Sequence, residues 1–83
     1  MISCNNLRFK YVRKGNMIEI FPESIPHHIY GNKKDIQSAG FVNISSQDGK
    51  ILIECYGEST SIGVASKGEE DASLIRALHY FGD

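Results

Sequence analysis

The sequence predicts an α+β domain with the element order ββαββα, in which a four-stranded, mainly antiparallel sheet carries two helices on one face. Two pairs of strand-like segments, each joined by a glycine-containing turn, predict the sheet. A segment with one apolar helical stripe follows each pair, so packing both helices on the same face is the economical arrangement. The 83 residues, 41% hydrophobic and 23% charged, suit a single domain over residues 1–83.

The first hairpin is predicted from the segments LRFKYVR and MIEIF. In LRFKYVR, leucine, phenylalanine and tyrosine face one side while arginine and lysine face the other, which is the period of a half-buried strand. The intervening KGN supplies glycine and asparagine, which tolerate positive φ angles. Residues 17–21 are therefore expected to return as the second strand, which Pro22 ends.

The first helix is predicted after Ser24, a suitable N-cap residue, with Pro26 tolerated in the first turn. The Gly-Asn pair at positions 31–32 would leave this helix short or dented, because glycine weakens a helix interior. The apolar residues that support the helix are spaced near its repeat: Ile25, Ile29 and Ile36.

The second hairpin is predicted from the segments GFVNI and KILIECY, which are joined by SSQDG. An Asp-Gly pair between two such segments is a strong hairpin signal. Ile51, Ile53 and Cys55 share one face of the fourth strand, and this face is expected to be buried.

The second helix is predicted at the C-terminal end of the chain. Ser66 and Glu69 have the spacing of a capping box. The apolar stripe of this helix consists of Ala72, Ile75 and Leu78, with Leu74 and Phe81 alongside.

The charge and the cysteines argue against several function classes. A net charge of −1 disfavours general affinity for nucleic acid or anionic membranes, and four of the nine basic residues, which lie within LRFKYVRKGN, are interpreted as a solvated strand face. No apolar run is long enough for a signal peptide or a membrane span. Cys4 and Cys55 lack metal-ligand spacing, so we expect no disulfide, no metal, no cofactor and a cytoplasmic location.

The connection over residues 57–68 consists largely of small residues. Successive N–H groups in such a turn can bind an anion, and the following helix N-terminus would add partial positive charge. Gly63 and Lys67 do not have the spacing of a Walker loop. The alternative interpretation is an ordinary turn in which Ser66 caps the helix.

His27 and His28 are candidate catalytic residues at the start of the first predicted helix. The helix dipole disfavours imidazole protonation there, which would leave a neutral base or nucleophile. Adjacent residues point in different directions on a helix, so the pair is a poor metal chelate. The alternative interpretation is two surface histidines.

Residues 45–81 resemble the second half of the Janus/ocnus family of protein phosphohistidine phosphatases. The resemblance lies in a strand ending in Tyr-Gly and the pattern Y-G-x-S-x-x-x-G-x-A, followed by a helix. The upstream segment HHIYGNKKDI resembles the family's helix-opening segment with its catalytic histidine. Pro26 stands at the histidine position in a gapless match, and Ser66 and Lys67 replace a Gln-His pair.

The resemblance implies a ββαββα fold and a metal-independent phosphatase that acts on phosphohistidine. His27 or His28 would serve as general base or nucleophile. The backbone amides that would hold the phosphoryl group of a phosphoprotein are those of Ser59, Thr60, Ser61, Ile62 and Gly63.

The alternative is a non-enzymatic module that binds a protein partner or a second copy of itself. Such a module would use the open face of the sheet, with Arg8 and Lys10 exposed, and would not need the histidines. The enzyme needs one histidine close to residues 59–63. Replacing both His27 and His28 by alanine is expected to abolish phosphatase activity and to leave the thermal midpoint nearly unchanged.

Overall fold

In the computed structural model, which describes residues 5–79, four strands form one antiparallel sheet. They are β1 (Asn5–Lys14), β2 (Met17–Pro22), β3 (Ser38–Gln47) and β4 (Lys50–Tyr56), in the order β2-β1-β3-β4 across the sheet. Both predicted hairpins are present, and Asp48 and Gly49 adopt the positive φ angles, 52° and 77°, that a two-residue hairpin turn requires. The α+β class and the four-stranded antiparallel sheet are thus confirmed.

A single α-helix, α1 (Glu69–His79), lies within residues 5–79 and packs against one face of the sheet. Ala72 and Ile75 on the predicted stripe are buried, whereas Leu78 is 46% exposed; Phe81 lies outside the described residues. The helix covers a core formed with Tyr11, Ile18, Val42, Ile53 and Cys55. No helical segment within residues 5–79 has the length and apolarity that a membrane crossing needs.

The prediction of a first α-helix was wrong. Only one 3-10 turn forms in this segment, at His27–Tyr30. Pro26 has an extended backbone (φ −66°, ψ 145°), which keeps residues 24–25 out of the turn, and Gly31 ends it with a φ of 153° that a β-carbon would disfavour. The backbone then turns again at Asn32, whose side chain accepts a hydrogen bond from the Lys34 amide.

The prediction that both helices pack on one face of the sheet was also wrong. Residues 23–37 lie against the face opposite α1, where they cover a second core formed by Val12, Phe21, Ile36 and Ala39. The physical reason is that Val12 and Phe21 are large apolar residues on this second face, which must itself be shielded from water.

A small third hairpin, which the sequence did not predict, occupies the connection between β4 and α1. It consists of β5 (Glu58–Ser59) and β6 (Val64–Ala65) and packs against β3. Its turn is closed by a hydrogen bond of 2.8 Å from the Gly63 amide to the Ser59 carbonyl, with Gly63 at a φ of 69°.

A buried carboxylate, that of Asp71, fastens α1 to the sheet. It accepts hydrogen bonds from the Tyr11 hydroxyl, the Lys67 amide (3.0 Å) and the Arg13 guanidinium (3.0 Å). Burial by itself would raise the pKa of Asp71, but the hydrogen bonds from Tyr11 and Lys67 outweigh it and lower the pKa. Asp71 is therefore an ionised, fully buried anchor.

The predicted Ser66–Glu69 capping box does not form, and Ser66 and Asp71 each accept a hydrogen bond from a different backbone amide. The Ser66 hydroxyl accepts from the Gly68 amide at 2.9 Å, while Asp71 accepts from the Lys67 amide. Glu69 points outward and accepts from Ser73 instead. Side chains of Asp71 and Ser66 thus accept from the two amides that directly precede α1.

Candidate functional site

A row of four side chains crosses the sheet on the face opposite α1. Phe21, Lys10, Phe41 and Tyr56 stand side by side because each is paired in register with the next on a neighbouring strand. Two aromatic rings thus flank a lysine, and a third ring extends the row to the edge strand β4.

His27 packs onto this row from the 3-10 turn. Its ring meets Phe21 and Phe41 edge-on, with centroid distances of 5.6 and 6.1 Å. Its Nε2 lies 2.9 Å from the Gly40 carbonyl, which can only accept, so Nε2 carries the proton and Nδ1 is the free nitrogen of the neutral ring.

The pKa of His27 is lowered, so the imidazole is neutral near pH 7. Burial is the main cause, since only 4% of the residue is exposed, and the charge of Lys10 acts in the same direction. The hydrogen bond to the Gly40 carbonyl raises the pKa, but by less than burial and Lys10 lower it. Neutrality was predicted from a helix dipole, but burial is what produces it.

A pocket with a volume of about 140 Å³ opens between the row, the 3-10 turn and the β5–β6 hairpin. We call it the Lys10 pocket. Its lining residues are Lys10, Pro26, His27, Phe41, Glu58, Thr60 and Ser61. One histidine and part of the predicted anion loop therefore share a single cavity.

Lys10 supplies the positive charge of the pocket. Its Nζ donates a hydrogen bond of 3.2 Å to the Ile25 carbonyl, and none of the ion pairs formed within residues 5–79 includes it. Its charge is therefore not neutralised by a direct carboxylate contact. Glu58, which also lines the pocket, brings the opposite charge to the rim.

The turn between β5 and β6 contributes hydrogen-bond donors. Among the described residues, the amides of Thr60, Ser61 and Ile62 have no acceptor, whereas the Gly63 amide is taken by Ser59. Thr60 and Ser61 are exposed and line the pocket. Two hydroxyl residues at the pocket and three consecutive amides in the same turn are thus candidate donors to an anion or to water.

The other predicted phosphate-binding residues have different positions. Ser59 is buried, with its Oγ 3.3 Å from Ser61 Oγ, and Ile62 packs against the second core. Neither they nor Gly63 line the pocket. They hold the hairpin in shape, and Thr60 and Ser61 are the members of the loop that face the cavity.

The two candidate histidines have different environments. His28 is exposed and does not line the pocket, so the interpretation as a surface residue applies to it and not to His27. The sequence reasoning missed Lys10, Phe41 and Glu58. The signal for Lys10 was present, because Val12 shares its face of β1 and an apolar residue there indicates that this face is covered.

Comparisons of the chain with protein-family models, with curated proteins and with solved structures found no match. The resemblance to phosphohistidine phosphatases therefore stays a prediction. Within residues 5–79, no group of three histidine, cysteine, aspartate or glutamate side chains is placed to hold a metal ion.

Proposed function

We propose that this protein binds a phosphate group in the Lys10 pocket, as a phosphohistidine-phosphatase-like phosphate-binding protein. One observation carries the proposal: Lys10, the neutral His27 and two hydroxyl residues, Thr60 and Ser61, line the same small cavity. A lysine point charge together with hydroxyl and amide donors is the usual chemistry of a phosphate site.

The size and polarity of the pocket favour one phosphate group. A volume of about 140 Å³ has room for a phosphate group and is below the roughly 300–1,000 Å³ of most pockets for larger ligands. Glu58 at the rim repels a fully ionised anion, but it can accept a hydrogen bond from a phosphate oxygen that keeps its proton. The monoanionic form of a phosphate is therefore the expected ligand.

His27 is the histidine that we propose for any hydrolysis of phosphohistidine. It lines the pocket with Nδ1 unprotonated, whereas His28 does not reach it. A neutral imidazole of lowered pKa can act as a base or nucleophile near pH 7. Binding of phosphate does not depend on this step. We place the function in the cytoplasm, where the buried thiol of Cys55 would stay reduced.

The alternative function is a protein-interaction or self-associating module. The sheet surface that such a module could use is smaller than the sequence predicted. Residues 23–37 cover the part of the second face over β1 and β2, and Lys10 is half-buried. The part that stays open lies over β3 and β4, where Leu52 is 48% exposed. A protein partner or a homodimer would have to use that part.

Substitution of Lys10 tests the phosphate proposal. Wild-type protein is expected to bind inorganic phosphate with a Kd of about 1 mM, and Lys10→Gln should weaken binding about tenfold because the positive charge is lost. Isothermal titration calorimetry at constant pH and ionic strength measures both. Lys50→Gln removes an exposed lysine outside the pocket and serves as the matched control. Equal losses in the two variants would mean diffuse surface attraction and would refute the site.

A further inference from the structure

Three aromatic rings, those of His27, Phe41 and Tyr56, form a row from the Lys10 pocket to the open part of the sheet. The ring centroids of His27 and Phe41 are 6.1 Å apart, and those of Phe41 and Tyr56 are 5.8 Å apart with planes inclined by 28°. Phe41 lines the pocket, while Tyr56 stands one strand farther out, on β4. We call Phe41 and Tyr56 the ring platform.

A guanidinium group lies over the ring platform. The Arg8 guanidinium carbon is 4.3 Å from the Phe41 centroid and 6.0 Å from the Tyr56 centroid. Arg8 also pairs with Glu23 at 3.1 Å, and both side chains are 48% exposed. This ion pair is open to solvent and contributes little, so Arg8 can shift to stack on a ligand.

We propose that the preferred ligand is a nucleoside monophosphate, with its phosphate in the Lys10 pocket and its base against the ring platform and Arg8. This inference rests on the proposed phosphate site and names the class of ligand that would fill it. Aromatic side chains and guanidinium planes stack on any base, since every base has a π-face. Phe41 belongs both to the pocket and to the platform, so one ligand can meet both.

The dimensions favour a nucleotide over a ring bonded directly to phosphorus. With its phosphate beside Lys10 and Thr60, a ligand would extend toward Phe41, which lines the pocket on the side of the open sheet. An imidazole attached to phosphorus would stay beside Phe41. A ribose spacer carries the base farther, toward Tyr56 and Arg8.

The charges favour a single nucleotide over a polymer. Among the described residues, Lys10 is the cation that lines the pocket and Arg8 is the cation over the ring platform, and each has a glutamate nearby, Glu58 and Glu23 respectively. A strand of nucleic acid would need a longer series of phosphate contacts than these two cations offer.

Calorimetric titrations with adenosine monophosphate, adenosine and inorganic phosphate test the inference. We expect the nucleotide to bind at least tenfold more tightly than either part alone. Tyr56→Leu removes a platform ring outside the pocket and should weaken nucleotide binding at least fivefold while leaving phosphate binding unchanged. Leu52→Ala, on the same strand and the same face, is the control and should change neither affinity.

Different results of these titrations would overturn the nucleotide inference alone or the phosphate site as well. Phosphate binding that depends on Lys10, with a nucleotide that binds no tighter than phosphate, overturns the inference and leaves the phosphate site standing. A phosphohistidine or phosphotyrosine ligand that binds tighter than the nucleotide also overturns it. Adenosine that binds as well as the nucleotide, or no binding of any ligand, overturns both. If Tyr56→Leu does not fold, the exposed substitution Arg8→Gln replaces it with the same expected result.

Discussion

Asp71→Ala is expected to lower the free energy of unfolding by about 3–5 kcal/mol, a large share of the stability of a small domain. The carboxylate of Asp71 is fully buried and accepts hydrogen bonds from the Tyr11 hydroxyl, the Lys67 amide and Arg13. Removing it leaves the Tyr11 hydroxyl and the Lys67 amide without this acceptor, and Arg13 keeps only its contact with the exposed Glu70. Urea denaturation followed by circular dichroism measures the change.

The control for this prediction is the neighbouring acid. Glu70 also pairs with Arg13, at 2.8 Å, but 59% of its side chain is exposed, so Glu70→Ala should change stability by less than about 1 kcal/mol. Similar small losses in both variants would show that Asp71 does not fasten the helix. If Asp71→Ala fails to fold, Asp71→Asn keeps the shape and should still lose stability through the missing charge.

His27→Ala is expected to destabilise the protein by about 2–4 kcal/mol at pH 7.5. The substitution opens a cavity between Phe21 and Phe41 and leaves the Gly40 carbonyl without its donor. His28→Ala removes an exposed side chain and should stay within about 0.5 kcal/mol of wild type. The expectation that replacing both histidines leaves the thermal midpoint nearly unchanged therefore does not hold for a buried His27.

The stability difference between wild type and His27→Ala should shrink as the pH falls from 7.5 to 5. The unfolded chain protonates this imidazole near pH 6.5, whereas the folded chain, with its lowered pKa, does so only at lower pH. The wild type thus loses stability over this interval, by about 1.4 kcal/mol for each pH unit that separates the two pKa values. The stabilisation by Asp71, whose pKa is also lowered, is lost only below about pH 4. Denaturation curves at several pH values measure the difference, and one that stays constant or grows would contradict a lowered pKa.

The two large hairpins were predictable because their signals are local. Alternation of apolar and polar residues, with Gly15 or an Asp-Gly pair at the turn, was sufficient to predict all four strands of the large sheet. The buried face of β4, with Ile53 and Cys55, follows from the same alternation.

The first helix was mispredicted because the apolar residues with helical spacing pack against the sheet from a non-helical segment. Ile25 and Ile36 pack against the second core from an irregular segment, and Ile29 is 64% exposed. Helical spacing alone does not distinguish this from an amphipathic helix. Pro26 and Gly31 were the sequence signals against a helix. Their backbone conformations bound the 3-10 turn and prevent a longer helix, despite the helical spacing of the isoleucines.

The site was predictable in part. Small residues and a histidine pointed to residues 59–63 and to His27, but the cation of the pocket depends on strand register, since Lys10 faces the cavity through its pairing with Phe21 and Phe41. A local sequence motif does not predict the register between strands that are distant in the sequence. Lys10 was therefore interpreted as solvated.

Amide chemical shifts of ¹⁵N-labelled protein during a titration with inorganic phosphate, at constant pH and ionic strength, test the phosphate site most directly. We expect saturable shifts at the amides of Thr60, Ser61, Ile62 and His27, and none at the distant β3–β4 turn. Shifts spread evenly over the surface, or no shifts up to tens of millimolar phosphate (about the range of the weakest specific sites), would contradict a phosphate site in the Lys10 pocket.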